Sequence, residues 1–131
     1  MIVLDSSAIV AILQKEPEEQ YFLAIMAGDA RCIISAATIF EAAIVMNARR
    51  GPRGVAILRE FLVSSAAEVH PFTEAMVAEA ISAYQRFGKG TGAKAQLNFG
   101  DCIAYTLAKS LGAPLLFKGN DFAATDIVPC A

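Results

Sequence analysis

Cysteine is scarce and unpaired in this chain: Cys32, Cys102 and Cys130 make an odd number and contain no Cys-x-x-Cys pair. A disulfide framework and a thiolate zinc site both need more, so the three thiols read as reduced, mostly buried small hydrophobes. Histidine is scarcer still. A Ser-His-Asp hydrolase would have to rest on His70 alone, and no Gly-x-Ser-x-Gly turn is present to carry its nucleophile. Within Val69-His70-Pro71 that histidine reads as the end of a strand. No apolar run approaches the roughly 18 residues that a membrane helix needs. The start, Met1-Ile2-Val3-Leu4-Asp5, lacks a basic leader region and meets an acid at once, so a signal peptide is not expected and a cytoplasmic location is. Positive charge is not in excess either. With 11 Lys+Arg against 13 Asp+Glu the net charge is −2, so any contact with nucleic acid has to come from local basic patches. Aromatic residues are 8% of the chain and form no visible stacking platform, which leaves base preference unreadable.

What the chain has in abundance is apolar residues, 56% against the ~45–50% usual for globular proteins. Its 131 residues suit a single domain, 1–131, with a core that is easily built and apolar surface to spare for a partner. Ile2-Val3-Leu4 reads as a buried strand and Asp5-Ser6-Ser7 as the cap of a helix running to about Leu13. Pro17, Glu18 and Glu19 open a second helix that Gly28 closes. Cys32-Ile33-Ile34 is a second strand. Thr38 begins a helix carrying Glu41 as far as Arg49-Arg50-Gly51-Pro52, and another follows from about Arg53 to Ser64. A third strand spans about Glu68 to Phe72, and a helix covers Thr73 to Phe87. After a Gly/Lys-rich loop, Gly88 to Lys94, a helix runs from about Asn98 to Leu111 and stops at Gly112. Ala113 to Phe117 is a fourth strand and Asp126-Ile127-Val128 a fifth. Strands of this apolar kind alternating with helices predict an α/β fold: a parallel sheet of about five strands covered on both faces.

In an open α/β sheet, ligands bind beyond the carboxyl ends of the strands. Asp5 ends the first strand, Glu41 lies one turn into the helix after the second, Asp121 follows the fourth, and Asp101 sits in the first turn of the helix leaving the glycine loop. Gathered at one edge, four acids raise one another's pKa unless a cation joins them. Oxygen donors without His or Cys suit Mg²⁺ or Mn²⁺. Each acid has a plainer reading too. Thr38-x-x-Glu41 and Asn98-x-x-Asp101 have capping-box spacing, Asp5 caps a helix, and Asp121 suits a turn.

Four segments, in order along the whole chain, resemble the motifs of PIN-domain proteins. They are Ile2 to Ile9, with its strand ending in Asp5 before a Ser pair; Ser35 to Ala42, with Glu41; Leu97 to Tyr105, with Asp101; and Leu115 to Phe122, followed by Thr125-Asp126-Ile127. The nearest resemblance is to the VapC-like toxins of type II toxin–antitoxin pairs. It implies a three-layer α/β/α domain and a magnesium- or manganese-dependent endoribonuclease, usually a homodimer, held in check by a small VapB-like antitoxin. It also implies that Asp5 and Asp101 are the main metal ligands, that Glu41 completes the acidic site, and that a hydroxyl of Ser6 or Ser7 supports it. The fourth motif aligns at either Asn120 or Asp121.

RNA would then be gripped by local cations. Lys118 lies beside the site, Arg86, Lys89 and Lys94 flank the glycine loop, and Arg49, Arg50 and Arg53 cluster at a helix junction. The loop is not a P-loop, since the Gly-x-x-x-x-Gly-Lys-Ser/Thr spacing is missing; it is either an anion nest or a solvated connection. Two other functions compete. A receiver-like phosphoacceptor domain would need a pair of acids after the first strand and an Asp ending a middle one, whereas Asp5 stands alone and the second strand ends in Ser35. A PIN-like module without activity would not need its acids intact. For a dimer or an antitoxin groove the sequence offers the helices around Tyr21-Phe22-Leu23 and Ala42 to Met46.

Overall fold

The computed structural model describes residues 1–130. Four parallel strands form its sheet: β1 (Ile2–Leu4), β2 (Cys32–Ser35), β3 (Glu68–His70) and β4 (Leu115–Leu116), in the spatial order β3-β2-β1-β4. Val3 pairs with Ile33 on one side and Leu115 on the other, which puts the amino-terminal strand at the middle of the sheet. The unbroken apolar run Ile2-Val3-Leu4 is explained by that position, since a central parallel strand is buried on both faces. The period of two then sorts the core. Ile2, Leu4, Ile34 and Leu116 point to the side covered by α1 (Ser6–Leu13), α2 (Glu19–Met26) and α3 (Ala36–Ser64). Val3, Ile33 and Leu115 point to the side covered by α4 (Glu74–Phe87) and α5 (Phe99–Leu111). The result is the three-layer α/β/α arrangement expected.

The expected fifth strand is not there. Around Ile127 the chain makes only an isolated parallel bridge, Leu115 with Pro129. Leu115 N–H donates to the Val128 carbonyl and Cys130 N–H to that of Leu115, but the residue between them is proline, which has no N–H to extend a ladder. His70 does end a strand, β3.

Two helices were expected between Thr38 and Ser64, and the structure joins them as one bent element. Gly51 breaks it with φ 64° and ψ −155°, a backbone only glycine adopts cheaply, and Pro52 restarts it. The second arm folds back so closely that Gly54 is buried against the first. A Cβ there would collide with the Met46 carbonyl and reach the Arg50 Cβ at 3.0 Å. Because the obstacle is backbone, Gly54→Ala is expected to cost about 1–3 kcal/mol, read as a lower urea midpoint at unchanged slope. An unaltered midpoint would mean that the two arms are not packed this tightly.

Candidate active site

Asp5 follows β1 directly, and its N–H donates to the Leu116 carbonyl at 3.0 Å, so its backbone is fixed by the sheet. The side chain caps α1: Oδ2 accepts the Ser7 N–H at 3.1 Å and the Ser7 hydroxyl at 2.5 Å. Ser7 Oγ in turn accepts the Lys118 N–H at 2.9 Å, tying the start of α1 to the loop after β4. Capping uses only one carboxylate oxygen. Asp5 is 3% exposed, and its Oδ1 is buried without any hydrogen-bond partner among the described residues. Burial pushes its carboxyl up to about 6, the Ser7 bonds pull it back, and the charge of Glu41 adds to the rise.

Glu41 is not the capping-box residue that Thr38-x-x-Glu41 spacing predicts. The cap of α3 is Ser35, whose hydroxyl accepts the Ala37 N–H at 3.2 Å. Thr38 is already inside the helix, buried, with its own hydroxyl unpartnered. Relieved of capping, Glu41 turns toward α5 and leaves Oε1 buried without a partner.

Asp101 does fill a capping box. Asn98 Oδ1 accepts the Asp101 N–H at 2.9 Å, and Asp101 Oδ2 accepts the Asn98 N–H at 3.0 Å. The box takes only Oδ2 of the carboxylate and leaves Oδ1 over. Burial is the main cause that lifts the Asp101 carboxyl to about 7; the charges of Asp5, Asp121 and Glu41 add to it, against the Asn98 bond. Those mutual repulsions place all four acids in one neighbourhood. Asp121 is exposed, and its charge reaches Asp101. Asn120 is exposed and serves a turn, its carbonyl accepting the Ala123 N–H at 3.0 Å.

Among the described residues no group of three or more Asp, Glu, His or Cys side chains could by itself hold a metal ion. The donors fit a hydrated one. Mg²⁺ keeps several waters and takes only one or two carboxylates directly. Asp5 Oδ1 and Glu41 Oε1 are buried acceptors without donors, which metal-bound waters would supply, since an unpartnered buried polar atom is costly.

The cations are less free than the sequence implies. Lys118 turns its ammonium to Glu16 at 2.5 Å and Glu18 at 3.4 Å, and Arg49 reaches Glu16 at 3.7 Å. Arg86 and Lys109 flank Asp126 at 3.6 and 3.1 Å, which also accepts the Tyr105 hydroxyl at 2.5 Å; this cluster pins the carboxyl-terminal segment to α4 and α5. Lys89 and Lys94 are exposed and have no carboxylate partner among the described residues. Their loop is stapled at its neck, where Lys89 N–H donates to Leu97 and Leu97 N–H to Phe87, each at 2.8 Å.

Residues 2–128 match the model of the PIN domain. The chain belongs to the PIN-domain family. Ribonuclease VapC30 of Mycobacterium tuberculosis is 41% identical over 130 residues, covering 99% of this chain and 98% of the relative. Ribonuclease VapC of Mycolicibacterium smegmatis is 40% identical over 126 residues, or 96% of this chain and 97% of that one. In shape the PIN domain here is similar to the Mycobacterium tuberculosis toxin VapC20, which cleaves the sarcin–ricin loop, with a TM-score of 0.81 at 16% identity over 99% of this chain and 98% of that one. It is also similar to a chain of VapBC2 from Rickettsia felis bound to promoter DNA, with a TM-score of 0.74 at 18% identity over 99% and 98%. Membership in this family removes the phosphoacceptor alternative.

Apolar surface lies elsewhere. A groove of about 430 Å³ between α4 and α5 is lined by Phe72, Val77, Ile81, Tyr84, Phe99 and Ile103, without any acid. On α3 the exposed large apolar residues are Phe40, Ile44 and Val63, whereas Ala42 and Met46, expected at a surface, are core; in α2, Phe22 is core and Tyr21 is exposed. No helix among the described residues is long and apolar enough to cross a membrane.

Proposed function

We propose that this PIN domain is a cytoplasmic, Mg²⁺- or Mn²⁺-dependent endoribonuclease, the toxin of a type II toxin–antitoxin pair, working as a homodimer restrained by a VapB-like antitoxin. The observation that carries the chemistry is the pair of orphaned oxygens, Asp5 Oδ1 and Glu41 Oε1, buried beside an Asp101 whose carboxyl is raised to about 7. Near-identical length and about 40% identity to VapC ribonucleases support RNA as substrate and hydrolysis as reaction. The VapBC2 complex supports an antitoxin as partner.

In this reading Asp5 and Asp101 hold the cation, each through the oxygen that its helix cap leaves over, and Glu41 completes the acidic wall. A divalent ion bound there supplies Lewis-acid polarisation of the phosphoryl group and eases deprotonation of water. Ser7 fixes the Asp5 carboxylate by two hydrogen bonds, so the ligand is oriented before any ion arrives. The Ser6 backbone beside it helps to lower the pKa of the same carboxyl. Glu41 Oε1, with no donor to satisfy it, accepts a proton from the attacking water. Asp121, at the exposed rim, serves as the fourth acid in preference to Asn120. Lys89 and Lys94, unpaired and on a stapled loop, bind phosphates, and Lys118 joins them only by leaving Glu16 and Glu18.

A panel of structured RNAs incubated with the purified chain tests this directly. Cutting is expected with Mg²⁺ or Mn²⁺, none in excess chelator, and none from Asp5→Asn, a change that keeps the helix cap. Cleavage that persists in chelator would refute the metal-dependent reading.

A further inference from the structure

The geometry points to Gly100 as a positioning residue of this site: its missing side chain is the seat of the Glu41 carboxylate. This inference rests on the nuclease reading above and adds a residue to it. Gly100 is the second residue of α5, between the exposed Phe99 and the site acid Asp101, and it is buried. A Cβ built there would overlap the Glu41 carboxyl carbon and Oε2, and would leave even the farther oxygen, Oε1, at 2.5 Å. Real Cβ contacts essentially never fall under 3.0 Å. Backbone freedom is not the reason for this glycine, because Gly100 is helical and absent from the positive-φ residues. Helical propensity also argues against it, since alanine is the better helix former.

What glycine provides here is room. Glu41 comes from α3 and Asp101 from α5, 60 positions later, so their carboxylates share a site only if α5 lets the Glu41 side chain lie on its first turn. That turn is also the positive end of the helix dipole, a favourable place for a carboxylate. A methyl at position 100 meets a flexible side-chain end and not backbone. The expected consequence is therefore a displaced Glu41 in a folded protein, which distinguishes this glycine from Gly54.

The test measures Mn²⁺ affinity by titration calorimetry, RNA cleavage, and thermal unfolding for wild type, Gly100→Ala, Glu41→Ala, the Glu41→Ala/Gly100→Ala pair and the Glu41→Asp/Gly100→Ala pair. Gly100→Ala is expected to weaken Mn²⁺ binding by about 10–100-fold, as loss of an orienting contact does, and to lower cleavage with it. Glu41→Asp, one methylene shorter, should recover part of both in the Gly100→Ala background. In the Glu41→Ala background Gly100→Ala should leave Mn²⁺ affinity unchanged and raise the melting temperature. If wild type binds Mn²⁺ and Gly100→Ala binds it equally well, the positioning role is overturned and the nuclease reading stands. If wild type neither binds Mn²⁺ nor cuts RNA, the nuclease reading itself falls. Should Gly100→Ala unfold the protein even when Glu41 is alanine, the glycine accommodates something other than Glu41 and the inference is wrong.

Discussion

Replacing Asp101 by asparagine is expected to abolish RNA cleavage, by on the order of 10³-fold or more, and at the same time to make the metal-free protein more stable. The loss follows from its role as a proposed metal ligand, because metal-assisted stabilisation of a phosphoryl transition state is worth several kcal/mol, at tenfold in rate per ~1.4 kcal/mol. The gain follows from burial. The Asp101 carboxyl is raised from an ordinary 3.8 to about 7, so at pH 8 the folded chain holds a charge that the unfolded chain would carry more cheaply. Asparagine keeps the acceptor for the Asn98 N–H and drops the charge. Part of the penalty is shared with Asp5, whose charge is among the causes of the shift, so about 1–3 kcal/mol of stabilisation is expected at pH 8. A purely structural Asp101 would leave cleavage intact, and only if the Asn98 N–H lost its acceptor would the variant be less stable, by roughly 0.5–2 kcal/mol. Urea unfolding in chelator, set beside a cleavage assay in Mn²⁺, separates the two. A variant that is less stable and still active would remove Asp101 from the site.

That opposition shows which parts of the molecule were legible in its sequence. Signals carried by neighbouring residues were readable. Asp5-Ser6-Ser7 after an apolar run is a strand ending in a helix cap; Asn98-x-x-Asp101 is a capping box; and Gly112, at φ 61°, ends α5 as expected. Gly51-Pro52 likewise marks the bend of α3. Features set by distant contacts were not readable. The choice of Ser35 over Thr38 as the α3 cap depends on where β2 stops, and two hydroxyls three residues apart look equivalent to a local rule. The fifth strand fails at Pro129 because its only neighbour, β4, is two residues long. Lys118 pairs with Glu16 across 102 residues of sequence, which no spacing rule anticipates. The space that Gly100 leaves for Glu41 belongs to the same class. The two capping-box spacings were both readable, but only tertiary structure reveals that Asp101 caps with one oxygen and leaves the other over, while Glu41 does not cap at all.

The metal-free chain should be more stable at pH 5 than at pH 8, and a divalent cation should reverse that order. Asp5 and Asp101 are lifted from 3.8 to about 6 and about 7. Below pH ~4 both are protonated in folded and unfolded chains alike and contribute no difference. Between pH ~4 and ~7 the folded protein retains protons that the unfolded chain has released, so stability falls as pH rises through this window and stays low above it. Asp126, held below the usual carboxylate range mainly by the Tyr105 hydroxyl, has the opposite sign. Its contribution is lost only as pH falls through its depressed pKa, outside this window. Together the two raised acids are expected to lower stability at pH 8 by about 2–5 kcal/mol relative to pH 5, taking about 1.4 kcal/mol per unit and discounting their mutual repulsion. A cation competes with protons for the same oxygens and so binds only as pH rises. At a free Mn²⁺ concentration 100 times its dissociation constant it restores about 2.7 kcal/mol to the folded state at pH 8, and at pH 5 much less. Urea titrations at pH 5 and 8, in chelator and in Mn²⁺, give the four midpoints required. The Asp5→Asn/Asp101→Asn pair should flatten both trends, since it removes the charges that repel and the ligands that bind. If stability in chelator rises from pH 5 to pH 8, these two acids are not the strained, buried pair described, and the ion would have no electrostatic cost to relieve.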